Sequence, residues 1–203
     1  DAATLQAKEV WRSGTTLNDS LPRWAGNDVI QWAADERIVF RSEMDGWMHL
    51  YAVLANGGEA KLLTRGQCEV EQMTLTPDKS KVVFSSNCDF AKQPNLDQRN
   101  LFYVEASGNS SPKRIITGSA NIYWNPVLTA QAGNLAFLSS NASSPGTPAV
   151  TKLEEQTTKL RLPGINLATE SYPRPENFPT SQVTPQQVIF KSADGLDIHG
   201  QLF

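Results

Sequence analysis

The sequence is poor in the residues that usually bind metals or nucleic acids. It contains two cysteines and two histidines in 203 residues, and none of them has the close spacing of a metal-binding motif. Lysine and arginine number 18 against 21 acidic residues, for a net charge of −3, without a basic run. No apolar run approaches the roughly 20 residues that span a membrane. We therefore expect no metal, cofactor, nucleic-acid partner or membrane span.

The composition is that of a globular protein, with 39% hydrophobic and 19% charged residues, which argues against a largely disordered chain. The sequence begins at Asp1, inside what reads as part of a repeat, and lacks the features of a signal peptide. We therefore expect a piece of a longer protein. A cytoplasmic location and a periplasmic or secreted location both stay open.

Three units of similar pattern follow one another along the chain. Each contains an apolar strand with a phenylalanine, Phe40, Phe84 or Phe137, so the pattern repeats after 44 and then 53 residues. Every unit opens with another strand and continues with two more. In strand order, the predicted ranges are 29–33, 37–40, 50–54 and 61–64, then 70–76, 81–87, 100–104 and 114–118, then 122–129, 134–140, 148–153 and 159–164. Before them, residues 8–12 are predicted to form the outer strand of an incomplete unit.

Four strands per repeat at a spacing of roughly 40 to 50 residues are typical of β-propeller blades. The second strand of each unit is apolar on both faces, as expected for a strand between two neighbouring blades. We therefore predict an all-β fold, a partial β-propeller of about three four-stranded antiparallel blades. The alternative is a generic antiparallel sandwich.

The repeats stop after residue 164. The next residues contain four prolines and little apolar periodicity, which predicts an extended linker. Two further strands follow, at 187–191 and 196–203, around an Asp-Gly turn. The predicted organisation is therefore blades over 1–164, a linker over 165–185 and the first hairpin of another domain over 186–203.

Long, chemically varied loops are predicted to lie on one rim of the propeller. In this fold, the loops between second and third strands open on the same face as the connections to the next blade. Functional residues tend to lie on such loops. The predicted rim comprises Arg23-Trp24 and residues 43–47, 89–99 and 141–146, whereas the turns at 57–58 and 77–80 belong to the opposite rim.

The two cysteines fall on adjacent predicted strands. If the turn at 77–80 places Thr76 opposite Lys81, Cys68 and Cys88 lie one step apart on a diagonal. A disulfide between Cys68 and Cys88 is then possible. Two free buried thiols are the alternative.

Three motifs stand out along the chain. One is Asp45-Gly46-Trp47-Met48-His49-Leu50-Tyr51, another is Leu62-Leu63-Thr64-Arg65-Gly66 followed by Glu69-Val70-Glu71, and a third covers residues 188–200. In this order they resemble the prolyl oligopeptidase family of serine peptidases, particularly its dipeptidyl peptidase IV-like and acylaminoacyl peptidase-like members. The first is similar to a blade motif of the family, and the third looks like the opening hairpin of its α/β-hydrolase domain.

The resemblance implies that the catalytic residues lie outside this chain. A hydrolase of this fold needs a G-x-S-x-G nucleophile elbow and a histidine that acts as its base, and the pentapeptide is absent. His49 lies within a blade and His199 at the start of the next domain. We interpret both histidines as structural rather than catalytic. Glu154-Glu155 is interpreted as a solvated turn, so it does not identify the family's paired glutamates.

The function that the resemblance implies is non-catalytic. In this family the propeller restricts access to the active site, so that the enzyme cleaves only short peptides. The resemblance implies an enzyme of the dipeptidyl-peptidase or acylaminoacyl-peptidase type. The candidate substrate-binding residues are therefore Arg23, Trp24, Glu43, Asp45 and Trp47. The alternative is a non-enzymatic scaffold similar to TolB that binds a protein partner. Because an incomplete ring leaves blade faces uncovered, we also expect the chain to self-associate.

Overall fold

The fold is described from a computed structural model. The residues that it describes are 6–19, 29–90, 97–116, 121–129, 133–142, 144–153 and 183–203. All regular secondary structure in these ranges is β-strand. No helix in these ranges could cross a membrane.

The first sheet contains four antiparallel strands in sequence order. They are β1 (Ile30–Ala33), β2 (Arg37–Ser42), β3 (His49–Leu54) and β4 (Lys61–Leu62). Phe40 lies opposite Ile30 on one side and Tyr51 on the other. These three side chains therefore share one face of the sheet.

The second sheet repeats this topology. Its strands are β5 (Val70–Leu75), β6 (Lys81–Ser86), β7 (Asn100–Glu105) and β8 (Lys113–Arg114). The turn between β5 and β6 depends on Asp78, whose carboxylate accepts hydrogen bonds from the Thr76 hydroxyl and the Ser80 amide. Lys79 in the same turn has a φ of 59°.

The third sheet shows three strands in the described part of the chain: β9 (Ile122–Leu128), β10 (Asn134–Asn141) and β11 (Ser144–Lys152). Its predicted fourth strand, at 159–164, lies outside the described residues, as does most of the predicted linker. Strands β12 (Gln186–Lys191) and β13 (Asp197–Leu202) form a separate hairpin. Their positions agree with the predicted strands, and the three domain boundaries stay predictions.

The three sheets stack face to face, with the second in the middle. Val82 belongs to the apolar cluster shared with the first sheet, and the next residue, Val83, belongs to the cluster shared with the third. Both are fully buried, because successive side chains of a strand point to opposite faces. The stacking explains why this strand is continuously apolar, and it confirms the predicted partial β-propeller.

One strand prediction was wrong. Residues 8–12 were expected to form an outer strand, but no strand is present there. Instead, Trp11 packs on Phe40 at 4.4 Å between ring centroids, and the Lys8 ammonium donates to the carbonyl of Asn56 at 2.6 Å. The segment therefore covers part of the outer face of the first sheet through side chains rather than by backbone pairing.

Candidate functional site

Hydrogen bonds join the three sheets along the edge where the rim loops were predicted. Residues 144–146, which were predicted as part of a loop, instead begin strand β11. At the first sheet junction, the Val70 amide donates to the Met48 carbonyl at 2.8 Å; at the second, the Tyr123 amide donates to the Arg99 carbonyl at 2.9 Å. On the third sheet, the Asn141 side-chain amide donates to Asn121 at 2.9 Å. We call this edge the polar rim, formed by residues 43–48, 64–69, 87–90, 97–99, 121 and 141.

The turn before β3 is organised around Asp45. One carboxylate oxygen lies 2.8 Å from Nδ1 of His49, which is 1% exposed. The other accepts the Trp47 amide at 3.4 Å, and Gly46 takes the positive φ of 94° that the turn requires. Asp45 therefore serves the local fold with both oxygens, as the interpretation of His49 as a structural residue anticipated.

Tyr51 belongs to the same motif and is buried. Burial, followed by the nearby Asp45 carboxylate, raises the pKa of the Tyr51 hydroxyl, whereas Arg65 opposes this effect. The hydroxyl therefore stays protonated at physiological pH. The Asp-Gly-Trp-x-His-Leu-Tyr motif thus has three structural roles. Asp45 and Gly46 form the turn, His49 is the buried partner of Asp45, and Tyr51 lies opposite Phe40 on the face of the sheet.

Cys68 and Cys88 form a disulfide, with 5.0 Å between their Cα atoms. The predicted diagonal placement was wrong, because a register shift lies between Val70 and Met73. Phe84 pairs with Met73, whereas Ser86 pairs with Val70 rather than with residue 71. This bulge moves the start of β5 by one residue, so the two cysteines lie directly opposite each other.

The disulfide fixes the start of the loop that follows β6. Phe90 packs edge-on against Phe102, with 4.9 Å between ring centroids, and Asp89 forms an ion pair with Arg114 at 3.2 Å. The guanidinium of Arg114 also lies over the Phe102 ring, 5.4 Å from its centroid. A covalent bond, an aromatic contact and an ion pair therefore hold residues 88–90 on the rim.

Two arginines contact Glu71, which lies in β5 next to the polar rim. Glu71 and Arg99 form an ion pair at 2.5 Å and are each about one-third exposed. Arg41 is buried and donates to the backbone carbonyl of Glu71. Burial, with Glu43 as a nearby like charge, raises the pKa of Glu69.

The predicted substrate-binding residues fall into two groups. Arg23 and Trp24 lie outside the described residues. Glu43 is exposed, Trp47 is partly exposed, and Asp45 is engaged with His49. Across the ranges that the structure describes, no group of three or more His, Cys, Asp or Glu side chains could hold a metal ion.

Sequence reasoning missed the roles of Glu69, Glu71 and Arg99. A signal was present, because Val70 and Met73 are both apolar and three residues apart, which breaks the two-residue period of a regular strand. That irregularity indicates a bulge. A predicted register that included this bulge would have placed Cys68 opposite Cys88. It would also have shown that Glu69 and Glu71 lie close to the neighbouring loops.

The stacked antiparallel sheets place the chain in the β-propeller class. A family model described as the dipeptidyl peptidase IV (DPP IV) N-terminal region matches residues 4–149. Because this match covers more than half of the chain, the chain belongs to that family. The DPP IV-like resemblance inferred from the blade motifs is therefore confirmed.

One solved peptidase structure supports the fold. Dipeptidyl peptidase 4 of Porphyromonas gingivalis is similar with a TM-score of 0.58 and 15% identity, over 85% of this chain and 23% of that one. TolB structures from Agrobacterium tumefaciens and Acinetobacter baumannii match at 20% and 17% identity, both with a TM-score of 0.49. These matches cover 64% and 66% of this chain, and 46% and 32% of theirs. The chain thus spans about a quarter of the Porphyromonas protein. No curated protein matches the sequence.

Proposed function

We propose that this chain is the substrate-gating part of the propeller of a DPP IV-like serine peptidase. The observation that carries the proposal is the family match over residues 4–149. The propeller would restrict access to a catalytic domain outside this chain, so that short peptides are the substrates. The hairpin of β12 and β13 would then be the first element of that hydrolase domain.

The polar rim is the surface that we assign to substrate access. The exposed carboxylate of Glu43 and the partly exposed Trp47 ring offer charge and apolar area on the loop before β3. A carboxylate attracts the free ammonium group of a short peptide, and an aromatic ring packs against its side chains. Arg23 and Trp24 stay candidates for the same surface.

The proposal is tested with the full-length protein on peptides of increasing length that share one cleavable N-terminal sequence. We expect Glu43→Gln and Trp47→Ala to change kcat/KM differently for short and long peptides. Glu36→Gln is the matched control for Glu43, because Glu36 is also exposed but lies in a hairpin turn on the opposite rim.

Two outcomes separate the parts of the proposal. If the protein hydrolyses peptides but both rim variants behave like the Glu36 control at every length, the assigned residues are wrong. If the full-length protein hydrolyses no peptide of the series, the peptidase proposal itself fails. The TolB-like scaffold would then be the better account.

A further inference from the structure

Glu69 connects the first and second sheets through its side chain. Its carboxylate oxygen Oε2 accepts the Met48 amide at 3.2 Å, while the next residue, Val70, donates its amide to the Met48 carbonyl at 2.8 Å. Both backbone groups of Met48 are therefore paired with consecutive residues of the second sheet. Met48 ends the loop that carries Glu43 and Trp47.

The backbone of Glu69 is itself held on the second sheet. Its amide donates to Oδ1 of Asn87 at 2.7 Å, and its carbonyl accepts the Ser86 hydroxyl at 2.6 Å. The preceding residue, Cys68, is covalently bound to Cys88. The carboxylate of Glu69 therefore extends from a fixed backbone toward a loop of the neighbouring sheet.

The second sheet junction provides an internal comparison. There the Tyr123 amide donates to the Arg99 carbonyl at 2.9 Å, as Val70 does to Met48. The residue before Tyr123, which corresponds to Glu69, is Ile122. A backbone hydrogen bond is thus present at both junctions, whereas Ile122, at the position that corresponds to Glu69, has no carboxylate to add a second one.

We propose that Glu69 is a positioning residue, which fixes residues 43–48 against the second sheet by holding the Met48 amide. Its effect on substrate selection rests on the proposed function, but the contact itself does not. Burial and the like charges of Glu43 and Glu71 raise the pKa of the Glu69 carboxyl, whereas the hydrogen bond from the Met48 amide and the nearby His49 oppose this rise. A carboxyl oxygen can accept the Met48 amide in either protonation state.

The test is amide hydrogen exchange at Met48 in the wild-type protein and in Glu69→Ala and Glu69→Gln. We expect Glu69→Ala to lower the protection of the Met48 amide about tenfold, since one hydrogen-bond acceptor is lost. Glu69→Gln should restore most of it, because the amide oxygen can accept the same bond. The Tyr123 amide should keep its protection in both variants, which reports that the sheets remain folded.

Glu59→Ala serves as the matched control, since Glu59 is exposed and lies in the turn between β3 and β4. The proposal is overturned if Met48 protection in Glu69→Ala equals that of the wild type or of Glu59→Ala. It is also overturned if Glu69→Gln loses as much protection as Glu69→Ala. Because this readout needs no peptidase activity, it decides the positioning role even if the proposed function fails.

Discussion

Removal of the disulfide should destabilise the protein by about 3 kcal/mol. Cys68 and Cys88 are separated by 20 residues. For a loop of this length, the chain-entropy model gives about 11 cal/mol/K, or roughly 3 kcal/mol at 25 °C. Both sulfur-bearing residues are almost completely buried, so the bond also stabilises the packing around β5 and β6.

The assay is urea unfolding of the oxidised protein, the reduced protein and the double variant Cys68→Ala/Cys88→Ala. The reduced protein and the variant should share a lower midpoint, because both lack the same cross-link. Reductant should leave the midpoint of the double variant unchanged, which controls for effects of the reagent. Reduction of the folded protein should be slow, since a thiol must first reach buried sulfurs.

The reasoning is refuted if the reduced and oxidised proteins unfold within about 1 kcal/mol of each other. It is also refuted if thiol titration of the unfolded, unreduced protein finds two free thiols. The second result would show that Cys68 and Cys88 are not bonded.

Four further predictions follow from individual residues. Phe84→Ala should cost about 3 to 5 kcal/mol in urea unfolding, because the ring is fully buried between sheets; a loss below about 1 kcal/mol would contradict this packing. Gly66→Ala should lower the thermal midpoint more than Gly46→Ala. Both glycines have positive φ, but only at Gly66 would the new Cβ lie 2.8 Å from the Cys68 sulfur. Since burial raises the pKa of Glu69 above 4.5, the folded state binds that proton more tightly than the unfolded state. The stability contribution of Glu69 is therefore full below pH 4.5 and is lost as pH rises through the folded pKa. Glu69→Gln should thus gain stability relative to wild type over this window, and equal pH slopes would exclude the effect. Finally, light scattering should detect self-association, because Trp32 on the open face of the first sheet is 52% exposed; a monomer at all concentrations would contradict this.

Strand positions could be predicted best where an apolar run is bounded by turns, as in the second and third strands of the middle sheet. Val82 and Val83 are both buried, on opposite faces of the sheet. Burial on both faces distinguishes a blade that packs between two neighbours from a sheet with one solvent-exposed face. The Asp78 turn and the Asp-Gly motif at Asp45 are local features. Their hydrogen bonds join residues that are two to five positions apart, so the sequence shows them directly.

Features that depend on register or on distant partners could not be predicted as well. One extra residue in β5 shifts Cys68 by one position, and an alternation pattern read from a single strand does not report its partner's register. The contact between Glu69 and Met48 joins two sheets and needs that register to be known. Trp11 was assigned to a strand, although it contacts the first sheet through its ring and Phe40 rather than through backbone pairing.

The central proposal is that this propeller region is part of a serine peptidase, and reading the natural coding frame past Phe203 to its stop codon tests it most directly. The account predicts a hydrolase-sized extension with a G-x-S-x-G motif, then an aspartate and a histidine, and an intact mass of the natural protein to match. A frame that stops near Phe203 would contradict the peptidase assignment and leave a propeller-like binding protein.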